Sequence, residues 1–147
     1  MNIATAKVAL SAEEARDMNI LRPFDRVSMN TDRQISDGKQ AVFDLWDAGY
    51  VMPQEATNIR VMGRTGIALF MAGVHGMRMG NYISEHDAKI ATKIANVMCG
   101  GDLTTAQEVG EQYLLDLERE AFVSLCGEKK TLERIQSILT GGKPLRN

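Results

Sequence analysis

The chain has 147 residues, 44% hydrophobic and 24% charged, which are ordinary globular proportions and enough for a single domain with a core. Its net charge of −2 comes from 17 basic and 19 acidic residues mixed along the sequence, so no electrostatic footprint for nucleic acid or an anionic membrane is present. Cys99 and Cys126 form neither a metal-ligand spacing nor a disulfide framework, no signal peptide opens the chain, and the longest apolar-leaning run, Ile67 to Val74, is far short of the roughly 20 residues of a spanning helix. A cytoplasmic protein without a membrane span is the expectation.

In chain order, Ser11-Ala-Glu-Glu14 matches a capping box and predicts a short helix to about Met18, with Asn19 as a left-handed terminator. Asp25 to Met29 reads as a short strand. Asn30 or Thr31 caps a helix whose apolar face is Ile35, Val42, Leu45 and Trp46, and Gly49 closes it. Pro53, Gly63 and Gly66 punctuate the next stretch, where Ile59 to Met62 is a brief extended piece. Thr65 to Met79 is an apolar helix interrupted by Gly73 and Gly76, small residues that let another backbone approach closely.

Ser84 caps a helix running to Met98, with Ile90, Ile94 and Val97 as the inward stripe and Gly100-Gly101 as the stop. Thr105-Ala-Gln-Glu108 repeats the capping-box pattern ahead of a long helix carrying Val109, Tyr113, Leu117, Phe122 and Leu125, which Gly127 ends. Thr131 opens the last helix, with Leu132, Ile135, Ile138 and Leu139 facing inward and Gly141-Gly142 terminating it. The sum is an all-α fold of five to six helices and at most two short strands, an irregular bundle. Residues 1–49 and 50–147 form two segments packed as one domain. Nine methionines against one Trp, three Tyr and four Phe suit a pliable core or one shared with another chain.

Residues with chemical potential are few. Asp116, Glu118 and Glu120 crowd one helix beside Arg119, but Glu118 and Glu120 point about 200° apart and cannot face one substrate atom together. His86 lies between Glu85 and Asp87 at a helix start, where acids also suit the helix dipole. His75 and the two cysteines do not join it at ligand spacing, so no metal site is expected. Gly63-Arg-Thr-Gly66 and Gly73-Val-His-Gly76 are too sparse for a dinucleotide fingerprint. Lys143 and Arg146, beyond a helix end, suit either a solubilising tail or contact with a nucleotide phosphate.

The stretch Glu120 to Pro144, two helices about a polar turn with a Lys143-Pro144 ending, resembles the C-terminal helices of the crotonase (enoyl-CoA hydratase/isomerase) family. Ala6 to Leu21 is similar to that family's small helix and return strand, with Asn19-Ile-Leu21 where the family has Gly-Leu-Val, which makes residues 1–49 crotonase-tail-like. Tyr82-Ile-Ser-Glu-His-Asp87, Glu111 to Phe122 and Gly142-Lys-Pro-Leu-Arg-Asn147 resemble the C-terminal portion of bacterial bifunctional 3-hydroxyacyl-CoA dehydrogenase/enoyl-CoA hydratases of fatty-acid β-oxidation. The resemblance implies a parent enzyme that uses NAD and an acyl-CoA substrate, with both catalytic regions preceding Met1.

No position here matches the family's catalytic residues, so none is assigned and the chain alone is expected to be inactive and to bind no cofactor. The resemblance implies helices that pack across subunits of a homo-oligomer and help enclose the coenzyme A nucleotide end, a role falling to Ile138, Leu139 and Lys143. The partner is then the upstream catalytic region. Two alternatives stand beside this reading: an interaction module that docks on a separate catalytic chain, and a stand-alone acyl-CoA-binding protein using the Ile67–Met77 helix as a cleft wall.

Overall fold

A computed structural model of the chain describes residues 3, 7–142 and 145–147. The all-α expectation is borne out: six helices and two three-residue strands occur among the described residues. No helix among them is long and apolar enough to cross a membrane. Backbone contacts divide the chain into two compact units, residues 1–54 and 55–147.

The first unit holds α1 (Ala12–Asp17) and α2 (Gln34–Asp47), the latter entered through a 3₁₀ turn, Thr31–Arg33. Ser11 caps α1 as its sequence predicts, its side chain accepting from the Glu14 amide at 3.1 Å, while the Glu14 carboxylate accepts from the Leu10 amide at 2.8 Å. Asn19 closes the turn with φ 57, and Asn30 caps the 3₁₀ turn through the Asp32 amide at 3.0 Å.

The predicted strand at Asp25 to Met29 does not form. This segment is held by side chains and not by a ladder: Arg26 bonds Asp44 at 2.6 Å and Ser28 donates to Asp37 at 2.5 Å, both on α2. A strand requires a second edge to pair with, and the neighbouring element in this unit is a helix. α2 itself buries none of its residues.

The second unit contains β1 (Ile59–Val61), α3 (Gly63–Met79), α4 (Glu85–Met98), β2 (Gln107–Val109), α5 (Glu111–Cys126) and α6 (Lys129–Gly141). β1 and β2 pair antiparallel with Ile59 opposite Val109 and Val61 opposite Gln107. The capping box predicted at Thr105 to Glu108 is therefore wrong. Gln107 and Glu108 are spent on strand pairing, and α5 begins only after Gly110, its Glu111 amide donating to the Ala56 carbonyl at 2.8 Å.

α3 packs on α4, α4 on α5, and α5 on α6. The centre is small: Val61, Ala91, Ala95 and Cys99 are the buried apolar residues, and Cys99 is 1% exposed. Close approach depends on four glycines at one end of the unit. A Cβ on Gly63 would lie 2.5 Å from the Leu103 carbonyl oxygen, and one on Gly66 would lie 2.8 Å from the Cys99 sulfur. Gly100 and Gly101 have φ 83 and 74, and Val61 and Leu117 close over them.

The close backbone approach expected at Gly73 and Gly76 is found instead at Gly63, with Gly66 closely approached by the Met62 and Cys99 side chains, since a Cβ at Gly73 or Gly76 would meet no atom within 4 Å. Two inward stripes are also corrected. On α4 the buried positions are His86, Ala91 and Ala95, with Ile90, Ile94 and Val97 only half-buried. On α6 only Ile135 of the expected four is half-buried, whereas Leu132, Ile138 and Leu139 are exposed. The reason lies in which face meets the unit: Thr131, Arg134 and Ile135 do, so the stripe beside them is left facing outward.

Candidate functional site

The densest set of interacting polar side chains in the second unit joins the first turn of α4 to the first two turns of α6. It begins with a capping box that the sequence builds locally. The Ser84 side chain accepts from the Asp87 amide at 3.1 Å, and the Asp87 carboxylate accepts from the Ser84 amide at 3.0 Å. This arrangement fixes Asp87 at the positive end of α4, where a carboxylate is favoured.

Arg134 of α6 reaches across to it. One guanidinium nitrogen donates to Asp87 Oδ1 at 2.7 Å, and the pair is mostly shielded, with side chains 17% and 19% exposed. The other nitrogens hold Asn147, through its Oδ1 at 2.8 Å and its backbone oxygen at 3.2 Å, and lie 3.5 Å from the Ser84 hydroxyl. Asn147 returns two bonds to α6, donating to the Lys130 carbonyl at 3.2 Å and to the Glu133 carboxylate at 2.8 Å. Burial pushes the Asp87 carboxyl up, but the bonds from Arg134 and Ser84 outweigh it and hold the group below the usual carboxylate range.

His86, 4% exposed, sits beside this pair with its Nε2 2.9 Å from the Thr131 hydroxyl. Burial, reinforced by the nearby Arg134 cation, pulls its imidazole below the ordinary histidine range. On the outer side Lys89 and Glu128 form an ion pair that lowers the Glu128 carboxyl.

Chemically, the cluster is a clamp. Ser84, His86 and Asp87 are residue types found in hydrolytic triads, but the histidine faces Thr131 and not Ser84, and Asp87 is committed to Arg134. No general base is therefore aimed at the serine hydroxyl. No three His, Cys, Asp or Glu side chains converge as a metal could use among the described residues.

A nicotinamide dinucleotide does not fit these residues either. Such a ligand rests on parallel strands joined by a crossover helix, and the sheet among the described residues is a two-stranded antiparallel ribbon. A groove of about 390 Å³ lies in the first unit between the Arg26–Ser28 segment and α2, but its charged groups, Arg26 and Asp37, are already bonded to Asp44, Ser28 and Arg33.

Of the residues assigned from the sequence, Ile138 and Leu139 lie exposed in the last turns of α6, 55% and 76% accessible. Lys143 is outside the described residues. Asp116 pairs with Arg119 at 2.7 Å on α5, and Glu118 and Glu120 stand exposed without converging. His75 is exposed on α3, so the two histidines share no site. Cys99 is buried, which raises its thiol, and Cys126 is half-buried; both are free.

Thr131, Arg134 and Asn147 carry the clamp, yet the sequence marks only Thr131, and as the start of the last helix, which begins instead at Lys129 after Glu128. Ser84-x-x-Asp87 is a visible signal, but its partner lies 47 residues away on another helix.

No family model and no solved structure matches the chain. It is similar to a curated protein of Bacillus subtilis (strain 168) named "Probable 3-hydroxyacyl-CoA dehydrogenase", 49% identical over 145 residues. The match takes in 99% of this chain and 18% of that protein, so the chain spans less than a fifth of its relative's length.

Proposed function

We propose that this chain is the helical C-terminal part of a 3-hydroxyacyl-CoA dehydrogenase/enoyl-CoA hydratase of fatty-acid β-oxidation, contributing assembly and closure of the acyl-CoA site and no catalysis by itself. The observation that carries this reading is the 49% identity along nearly the whole chain to less than a fifth of a much longer dehydrogenase.

The outward apolar residues supply the contact surface. Leu115 and Phe122 on α5 and Leu132, Ile138 and Leu139 on α6 are all exposed, at positions where a helix normally places covered residues. In a longer protein they meet the catalytic region, and Ile138 and Leu139 help to wall the nucleotide end of coenzyme A. NAD and the reacting groups then belong to other parts of that protein, which works in the cytoplasm as a homo-oligomer.

The test uses the purified chain alone and mixed with the remaining region of the dehydrogenase. Alone it should turn over neither crotonyl-CoA nor acetoacetyl-CoA with NADH, and mixing should yield a complex with higher activity than the catalytic region alone. Turnover by the isolated chain, or absence of both complex and gain, overturns the reading. The same exposed faces support a second reading, a module that docks on a separately encoded catalytic chain; the sequence upstream of Met1 in the genome separates the two.

A further inference from the structure

α6, which also packs on α5, is tied to α4 by polar side chains. Leu132, Ile138 and Leu139 face outward, and three cross-helix links do the joining: Arg134 to Asp87, His86 to Thr131, and Lys89 to Glu128. A link of this kind responds to the charge of its members. One member, His86, is both buried and able to change charge near neutral pH.

We propose that His86 makes the seating of α6 on α4 a proton-controlled latch, closed while the imidazole is neutral and loosened when it becomes imidazolium. Around the ring, α4 contributes Lys89 and Asp87, while α6 and its cap contribute Arg134, Lys130 and Glu128. Asp87 is bonded to Arg134, and Glu128, paired with Lys89, favours an imidazolium but is outweighed by the burial of the ring and the Arg134 cation. His86 also occupies the first turn of α4, where the helix dipole disfavours positive charge.

An imidazolium keeps a donor toward the Thr131 hydroxyl, so the bond at 2.9 Å persists geometrically. What changes is the cost of a second buried cation beside Arg134, and leaving α4 is how α6 relieves it. The depressed imidazole agrees with this direction. As pH falls from the free-imidazole range toward the native value, the open form binds the proton first and α6 is released; above that range the latch is shut.

The inference is independent of the enzyme assignment and is read on the 147-residue chain itself. Hydrogen exchange of α6 amides, corrected for the intrinsic pH effect, should quicken relative to α3 amides between pH 7.5 and 5. The factor is about tenfold for each pH unit separating free and native imidazole. His86→Gln should flatten this response, and His75→Gln, on exposed α3, should leave it intact. A nuclear magnetic resonance titration of the native chain should place His86 below the ordinary histidine range. An α6 response that survives His86→Gln, or a His86 imidazole that titrates at or above the ordinary range with α6 protection unchanged, overturns the proposal. If His86→Gln does not fold, the titration of the native chain decides.

Discussion

α2 and α4 are both 14-residue amphipathic helices, and their fates differ. α4 buries His86, Ala91 and Ala95, whereas α2 buries nothing and leaves Ile35, Val42, Phe43, Leu45 and Trp46 exposed. An apolar stripe states that a helix wants cover; it does not say who supplies it. For α4 the cover is supplied by α3 and α5, brought close by glycines whose missing side chains make room. Around α2 the described residues of the first unit offer a short helix and a segment attached by the Arg26–Asp44 ion pair and the Ser28–Asp37 hydrogen bond, which bring polar groups to its flank.

The strongest way to break that contrast is to fill the space that lets α4 be covered. Gly63 has φ 61, and a Cβ there would lie 2.5 Å from one backbone oxygen and 2.9 Å from another. Gly63→Ala should therefore destabilise the second unit by on the order of 3 kcal/mol, combining backbone strain with a clash that has no flexible side chain to yield. Gly73→Ala on the same helix should instead stabilise it by about 0.5–1 kcal/mol, because nothing lies within 4 Å and helix propensity improves. Urea denaturation followed by circular dichroism reads both. Equal effects would mean that the tight end of α3 is not where its packing is decided.

A smaller effect is expected at the clamp. Arg134→Ala removes a cation that is 17% exposed and strands Asp87, which is 19% exposed. The pair lies between a surface ion pair and a fully buried one, so a loss of about 2 kcal/mol is expected. A double-mutant cycle with Asp87→Asn isolates the coupling. The pH dependence has a definite sign. The Asp87 carboxyl titrates lower in the folded chain than its ordinary 3.8, so the stability it adds is complete above that value and disappears as pH falls through the folded one. An acid titration of the native protein, compared with Asp87→Asn, should show a shallower decline below pH 4 in the variant. A decline that the substitution does not alter would remove Asp87 from the account.

Local signals were legible in the sequence where the chain answers to itself. Ser11, Ser84, Asn19 and Gly49 act as predicted because capping and left-handed closure involve residues within a few positions of each other. Signals failed where a distant segment decides. Thr105 to Glu108 has the letters of a capping box, but pairing with Ile59–Val61 claims Gln107 and Glu108, and Asp25 to Met29 has the letters of a strand with no edge to join. The clamp was half visible for the same reason: the Ser84–Asp87 box is local, whereas Arg134, Thr131 and Asn147 arrive through the fold. The inward stripe was overstated on α6 because periodicity marks the apolar face, whereas the face that meets the unit carries Thr131 and Arg134 beside Ile135.

The smallest effect concerns α2, where the contrast with α4 is most easily sharpened. Trp46 is the sole tryptophan and is 81% exposed, so fluorescence reports this helix without interference. At low protein concentration its emission should lie at the water-exposed end, be quenched freely by iodide, and shift little on unfolding. Trp46→Ala should then alter the denaturation of the first unit by no more than a few tenths of a kcal/mol, as for an exposed substitution. A blue-shifted, iodide-protected emission that strengthens with protein concentration would mean that copies of the chain cover the α2 stripe for each other. In that case α2 and α4 differ only in whether the cover comes from the same chain.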